Sequence, residues 1–313
     1  MELRQLRYFV AIVDHGSLSR AARVLHIAQP ALTQQVRQLE EELEAQLLHR
    51  SAQGVIATDA GKTFYEHAQA ILKQVTDAKS AVAQSNDKPS GTVALGIPQS
   101  VSGALALPLL TAIRATYPEI TLLLTEELTG NLIVQLKSGR INLAVLFDDG
   151  QLSPFASTPM VEEEMMYITR ANSQYGAVKK KTVTLAQAIK APLILPGLQH
   201  GVRPRIENIV RSHGMSLDNV IEINSVAILK SAILADIGAT ILPVAPLLSE
   251  IERGDMVALP ISGERMARTL ALCASKNIPL TNAAAAVERL VLDVTDDLCR
   301  SGKWLHAEGL ARE

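Results

Sequence analysis

Cysteine is nearly absent from this 313-residue chain, which holds only Cys273 and Cys299. Two thiols so far apart form neither a metal-ligand spacing nor a disulfide framework, and such usage fits a reducing compartment. Aromatic residues make up 3% of the chain, and Trp304 is its single tryptophan. No uncharged apolar run approaches the ~18 residues that would cross a bilayer. Met1 leads directly into an amphipathic helix pattern, without the apolar core of an export signal, so a cytoplasmic location with no membrane partner is expected. An excess of one charge is lacking as well: 30 basic residues face 32 acidic ones, for a formal net charge of −2. The whole molecule is therefore no polycation, and any nucleic-acid contact falls to a local surface. The seven histidines are scattered, with no pair at ligand spacing, so neither a metal nor a cofactor is expected.

What is present is 48% apolar residues over a length that suits two or three domains. Residues 1–37 carry Arg4, Arg7, Arg20, Arg23 and Arg37 against Glu2 and Asp14, a local net charge of +3. Leu3, Leu6, Phe9, Val10 and Val13 recur at helical spacing, and His15-Gly16 ends that helix. Ser17 supplies a cap for a second helix, Leu18 to Leu25, whose Ala21 and Ala22 permit close packing. A third helix begins near Gln29, where Pro30 is tolerated because first-turn amides have no intrahelical acceptor. Leu32, Val36, Leu39 and Leu43 form its apolar stripe. Gln29, Thr33, Gln34 and Arg37 fall on its other faces, and their amide, hydroxyl and guanidinium groups suit base edges and phosphates. Residues 49–58 read as a strand–turn–strand wing around Gln53-Gly54.

From Thr58 to Ser85 there is no proline, and Gly61 is the one glycine. Phe64, Ala68, Ile71, Val75, Ala78 and Val82 alternate steps of four and three, the repeat of a helix that packs along another helix. Packing against its own domain is the alternative reading. Asn86-Asp87-Lys88-Pro89-Ser90-Gly91 then reads as a hinge. Beyond it, short apolar strands alternate with helical patterns, which argues for a parallel α/β sheet. Strands are expected at 92–97, 120–124, 141–147, 165–170, 193–195, 220–223, 239–242 and 269–274. Helices are expected at 104–115, 131–138, 203–212, 225–236 and 282–298. Three features are set aside as decoys: Gly61-Lys62-Thr63 lacks the glycine cradle of a phosphate loop, Glu162-Glu163-Glu164 reads as a solvated run, and Cys273 reads as a buried small hydrophobe.

In this order the chain resembles the LysR-type transcriptional regulators. The resemblance rests on Ser17, Ala21-Ala22, Leu25, Gln29-Pro30-Ala31, Leu39-Glu40, Leu43, Leu47, Arg50 and Thr58-x-Ala60-Gly61. The run His26 to Leu32, with Leu47-Leu48, looks most like the nitrogen assimilation control branch. Three residues depart from the pattern: Ala28 where a capping hydroxyl is common, Glu44 where Gly is common, and Leu48 where Phe is common. The resemblance implies a winged helix-turn-helix at 1–58 and a linker helix at 59–88. It also implies a two-lobed effector domain like the periplasmic binding proteins, with lobe I at 91–161 plus 268–302 and lobe II at 162–267. It implies no enzymatic activity. Double-stranded promoter DNA is the expected partner, read by Gln29, Pro30, Ala31, Thr33, Gln34 and Arg37, with Arg50 and Ser51 touching the backbone. A homodimer through the linker helix, a homotetramer and contact with RNA polymerase are further implied. The cleft between lobes would bind a small-molecule effector, an anion by its serines, through Gln99, Ser100, Val101, Ser102, Phe147, Pro196, His200, Arg203, Ser225 and Val226. A solute-binding protein without DNA regulation is the competing reading. An enzyme with a helical appendage is a third.

Overall fold

The computed structural model describes residues 1–51, 54–83, 89–150, 152–176, 181–198, 200–263 and 265–310. The Gln53 of the expected wing turn and the Asn86-Asp87-Lys88 of the expected hinge lie outside them. The chain forms two compact units, residues 1–83 with 138–140, and the remainder.

The first unit begins with helices α1 (Leu3–His15), α2 (Leu18–Val24) and α3 (Gln29–Glu42). Strands β1 (Leu48–Ser51) and β2 (Gly54–Ala57) and helix α4 (Asp59–Ala83) complete it. Gly16 ends α1 in the left-handed region, at φ +58°, where a glycine is accommodated without strain. The Ser17 hydroxyl caps α2 by accepting from the Arg20 amide. Ala28 precedes α3 without a side-chain cap, so the start of that helix relies on packing and on Pro30 in its first turn. Leu6, Phe9 and Ile12 of α1 bury against Ala21, Ala22, Leu32, Val36 and Leu39. The β1–β2 hairpin is antiparallel, and the Val55 amide donates to the Gly16 carbonyl, which fixes the wing to the end of α1. Thr58 accepts from the Gly61 amide and starts α4. A Cβ on Gly61 would stand 2.0 Å from the Leu47 carbonyl oxygen, so only glycine fits there.

The second unit opens with β3 (Gly91–Pro98), α5 (Gln99–Thr116), β4 (Ile120–Glu127), α6 (Thr129–Lys137) and β5 (Leu143–Phe147). It continues with β6 (Phe155–Glu164), β7 (Met166–Arg170), β8 (Val183–Thr184), α7 (Leu185–Ala188) and β9 (Leu193–Leu195). Next come α8 (Val202–Ser212), β10 (Val220–Glu222), α9 (Val226–Leu234), β11 (Thr240–Leu242), a 3-10 turn (Ala245–Leu247) and α10 (Leu248–Glu252). The last elements are β12 (Met256–Leu259), β13 (Ile261–Ser262), β14 (Ala267–Ser275), α11 (Asn282–Arg300) and β15 (Ala307–Gly309).

One sheet has six strands in the order β15-β6-β14-β5-β3-β4. β3 pairs parallel with β4 and β5; β14 runs antiparallel to both β5 and β6, and β15 antiparallel to β6. The expected parallel sheet is therefore corrected to a mixed one. The physical reason is connectivity: the chain returns into β14 without the crossover helix that a parallel neighbour requires. The other lobe centres on β7, flanked antiparallel by β11 and β12, with β9 and β10 parallel beside it. An isolated Leu193–Ala239 bridge joins the two groups. The ten-residue strand β6 and the C-terminal strand β15 are absent from the sequence-based expectation.

Candidate functional site

Helix α3 presents the first candidate surface. Gln29, Pro30, Ala31, Gln34 and Arg37 are exposed and Thr33 is half-exposed, while Leu32, Val36 and Leu39 face inward. The amphipathic spacing thus separates a packing stripe from a chemically addressable one. Gln29 is not idle: its Oε1 accepts from the Ser19 hydroxyl at 2.9 Å, which leaves its NH2 donors outward. Arg37 Nε donates to Glu41 at 2.9 Å one turn later. Glu40 accepts from the Leu47 and Leu48 amides at 2.8 and 3.0 Å and pairs with Arg50 at 3.4 Å. That carboxylate therefore holds the wing to α3, and Arg50 and Ser51 stand exposed on β1. The Arg37 pair is open to solvent, where an ion pair contributes little and exchanges readily for a phosphate, whereas Arg50 is held on a mostly covered Glu40.

The second candidate lies in the second unit, where four of the described helices of eight residues or more begin at one place. Gln99-Ser100 at the start of α5, Leu128-Thr129 at α6, His200 and Val202 at α8, and Ser225-Val226 at α9 line one cleft with Pro98, Phe147 and Pro196. Helices α5 and α8 have no side-chain cap, so their first amides gain no partner from the residue that precedes each helix. Four N-termini aimed at one space make it favourable for negative charge. The Val226 amide donates to Gln99 Oε1 at 3.2 Å across the cleft and draws it nearly shut, while the Gly197 amide donates to Asn224 Oδ1 at 2.8 Å within one wall. About 50 Å³ of open space remains, the room of one or two waters.

The sequence-derived cleft residues divide. Gln99, Ser100, Phe147, Pro196, His200, Ser225 and Val226 come together there. Val101, Ser102 and Arg203 do not: Val101 is fully buried in the core, and Ser102 donates back to the Gln99 carbonyl. Arg203 pairs with Glu207 and Glu222, both at 2.9 Å. Ser225 acts as the cap of α9. His200 is 5% exposed, and its Nδ1 has no partner among the described residues. Burial pushes its pKa below the ordinary value, so it enters the cleft as a neutral donor and acceptor and adds no charge.

A family description given as LysR substrate binding domain matches residues 86–296, and one given as Bacterial regulatory helix-turn-helix protein, lysR family, matches residues 3–62. The chain belongs to the LysR family. Nitrogen assimilation regulatory protein nac of Klebsiella aerogenes is 36% identical, over 94% of this chain and 95% of its own length. The hydrogen peroxide-inducible genes activator of Pectobacterium carotovorum subsp. carotovorum is 28% identical, over 90% and 92%. Among solved structures, full-length CbnR complexed with its target DNA aligns with a TM-score of 0.69 at 22% identity, covering 94% of this chain and 100% of that one. The LysR-type fold here thus pairs a helix-turn-helix unit with an effector-binding one, and the chain is a LysR-type transcriptional regulator.

Within that LysR-type effector unit, one cluster escaped the sequence reading. Glu162-Glu163-Glu164, expected as a solvated run, lies in β6, and Glu163 is only 1% exposed. Its Oε2 accepts from Arg268 Nε at 2.8 Å and pairs with Arg268 Nη2 at 2.6 Å, and its Oε1 accepts from Trp304 Nε1 at 2.7 Å. Arg268 Nη2 also donates to the Ser100 hydroxyl at 3.0 Å, and its guanidinium lies 4.2 Å from the Phe147 ring centroid. No local periodicity announces this pairing, because the two charged residues stand 105 positions apart. Both thiols are raised by burial, Cys273 to about 12 and Cys299 to about 11. Among the described residues no helix is long and apolar enough to cross a membrane, and no group of side chains could hold a metal ion.

Proposed function

We propose that this regulator reads promoter DNA as a two-fold oligomer and is gated by a small anion in its cleft. The carrying observation is the exposed N-terminal face of α3, Gln29, Pro30, Ala31, Gln34 and Arg37, beside the Arg50–Ser51 wing. A helix so presented enters the major groove N-terminus first. Gln29 donates to a base edge, Pro30 and Ala31 meet a thymine methyl, Thr33, Gln34 and Arg37 reach bases or phosphates, and Arg50 and Ser51 touch the backbone. CbnR, whose solved complex carries its target DNA, supports the reading through its shared fold.

The proposed divisions are a DNA-binding domain at 1–58, a linker helix at 59–88, and lobes at 91–161 plus 268–302 and at 162–267. The C-terminal half of α4 supplies the dimer seam, since Val82 is 90% exposed. Two dimers then form a tetramer that meets RNA polymerase at the promoter, in the cytoplasm and without catalysis of its own. Peroxide-inducible relatives raise thiol oxidation as a switch. Here the buried Cys273 and the half-buried Cys299, both raised, stay protonated at neutral pH and react poorly, which disfavours it.

The test is a salt-titrated gel shift on the DNA upstream of the chain's own gene. A steep loss of affinity with salt and a preference over random duplex are expected. Gln29→Ala is expected to cost about 1–3 kcal/mol on the preferred duplex and little on random duplex. Equal losses on both would remove Gln29 from base reading.

A further inference from the structure

Arg268 and Glu163 form a charged pair that is almost wholly withdrawn from water, with Ser100 on one side and Trp304 on the other. Ser100, Arg268, Glu163 and Trp304 are 8%, 3%, 1% and 1% exposed. The bonds run without a gap: Arg268 donates to Ser100 at 3.0 Å and to Glu163 at 2.8 Å, and Trp304 donates to Glu163 at 2.7 Å. One end opens on the cleft, because Ser100 lines it. The other end holds the C-terminal segment, where β15 adds to the edge of β6 with Ala307 opposite Glu163. Glu164 donates its amide to the His306 carbonyl and Leu310 donates to Met160 on the same edge.

Two buried groups in this region lack partners among the described residues: Arg268 Nη1 and His200 Nδ1. A buried donor left unpaired is costly, and a ligand that pairs it recovers that cost. Ser100 only accepts from Arg268, so its hydroxyl proton remains to be donated.

We infer that an anion seated at Ser100 engages Arg268 and thereby loosens Trp304 and the strand β15. This rests on the reading of the cleft as a ligand site and names its ligand class, a molecule with a small carboxylate head. The anion takes the Ser100 proton donor and competes with Glu163 for the guanidinium. Glu163, left buried without its counter-charge, is drawn toward water, and that displacement frees Trp304 and the β15 edge that it anchors. The occupied cleft is in this way reported at the far end of the chain.

Trp304 is the single tryptophan, so the emission of the full-length protein reports this residue alone. Sodium acetate and sodium formate are titrated against sodium chloride at matched ionic strength, and amide hydrogen exchange is followed in parallel. Acetate is expected to protect the amides of residues 99–102 and 226–229 and to shift Trp304 emission to the red. It is also expected to speed exchange over residues 306–310 about tenfold, the size of one lost charge-assisted hydrogen bond. Chloride should do neither. Arg268→Lys keeps the charge but not the fork, and is expected to abolish the emission response. Glu163→Gln is expected to speed exchange over 306–310 without any ligand. Acetate that protects the cleft amides while Trp304 and β15 stay unchanged overturns the relay and leaves the ligand cleft standing. Absence of cleft protection by either carboxylate overturns the carboxylate assignment, and the relay with it.

Discussion

Single positions carry backbone decisions that the side chains then obey. Glu44 follows α3 at φ +49° and His26 occupies the turn before it at φ +54°, both in the region that disfavours a Cβ. The missing glycine at Glu44 thus leaves the end of α3 where a glycine would put it, with strain retained. Glu44→Gly is expected to raise stability by about 0.5–1 kcal/mol, read from urea unfolding of the full chain. A loss of stability would show that the Glu44 side chain holds more than its backbone costs. His200 sets a pH dependence. Its pKa is lowered in the folded state by burial, so the unfolded chain binds the proton more readily. Stability tied to it is complete well above the ordinary histidine value of about 6.5 and is lost as pH falls through that value. The melting temperature of the wild type should therefore drop between pH 7.5 and pH 5.5 (an order-of-unit window around that value), and His200→Gln should flatten that drop. Equal slopes would exonerate the imidazole.

Elements reveal how far periodicity alone can be read. Ser17, Pro30 and Gly16 mark helix boundaries through their own chemistry, and α1, α2 and α3 stand where those residues put them. The stripe on α4 has a divided use that spacing cannot disclose. Ala68 is buried, and Phe64 and Ile71 pack on the same core as Leu6 and Phe9; Phe64 meets Phe9 edge-on at 5.2 Å. Val75 is half-buried, and Ala78 and Val82 are exposed. A charge at Ile71 therefore injures the unit's own core and is a poor probe of association. Val82→Glu is expected to leave the melting temperature nearly unchanged and to yield a smaller species in sedimentation velocity. Ile71→Glu should instead destabilise by roughly 1–3 kcal/mol. A Val82→Glu species of unchanged size would move the seam elsewhere. Strand β6 was illegible for a different reason: Pro159 and three glutamates disguise it, and its partner strand arrives about a hundred residues later.

At the scale of the molecule, the two-unit plan and the family were written in the N-terminal residues. The direction of the strands was not, because it depends on connections between distant segments rather than on local pattern. The cleft was half legible: turns after strands located Gln99, Ser100, Pro196, His200 and Ser225, while Arg268 and Trp304, linked behind Ser100 through Glu163, come from segments that carry no motif. The placement of β14 also orders events during synthesis. It lies between β5 and β6 in the sheet, yet it is the last of the three to leave the ribosome. Until then β5 and β6 each expose an unpaired edge, open to mispairing or to a chaperone. The helices and wing of the helix-turn-helix unit have all emerged by Ala83, with only the short segment 138–140 to join them, and need no such wait. A chain released before β14 would therefore carry a finished DNA-reading head on a body that cannot close, and a nascent regulator is a reader of DNA before it is able to listen for its effector.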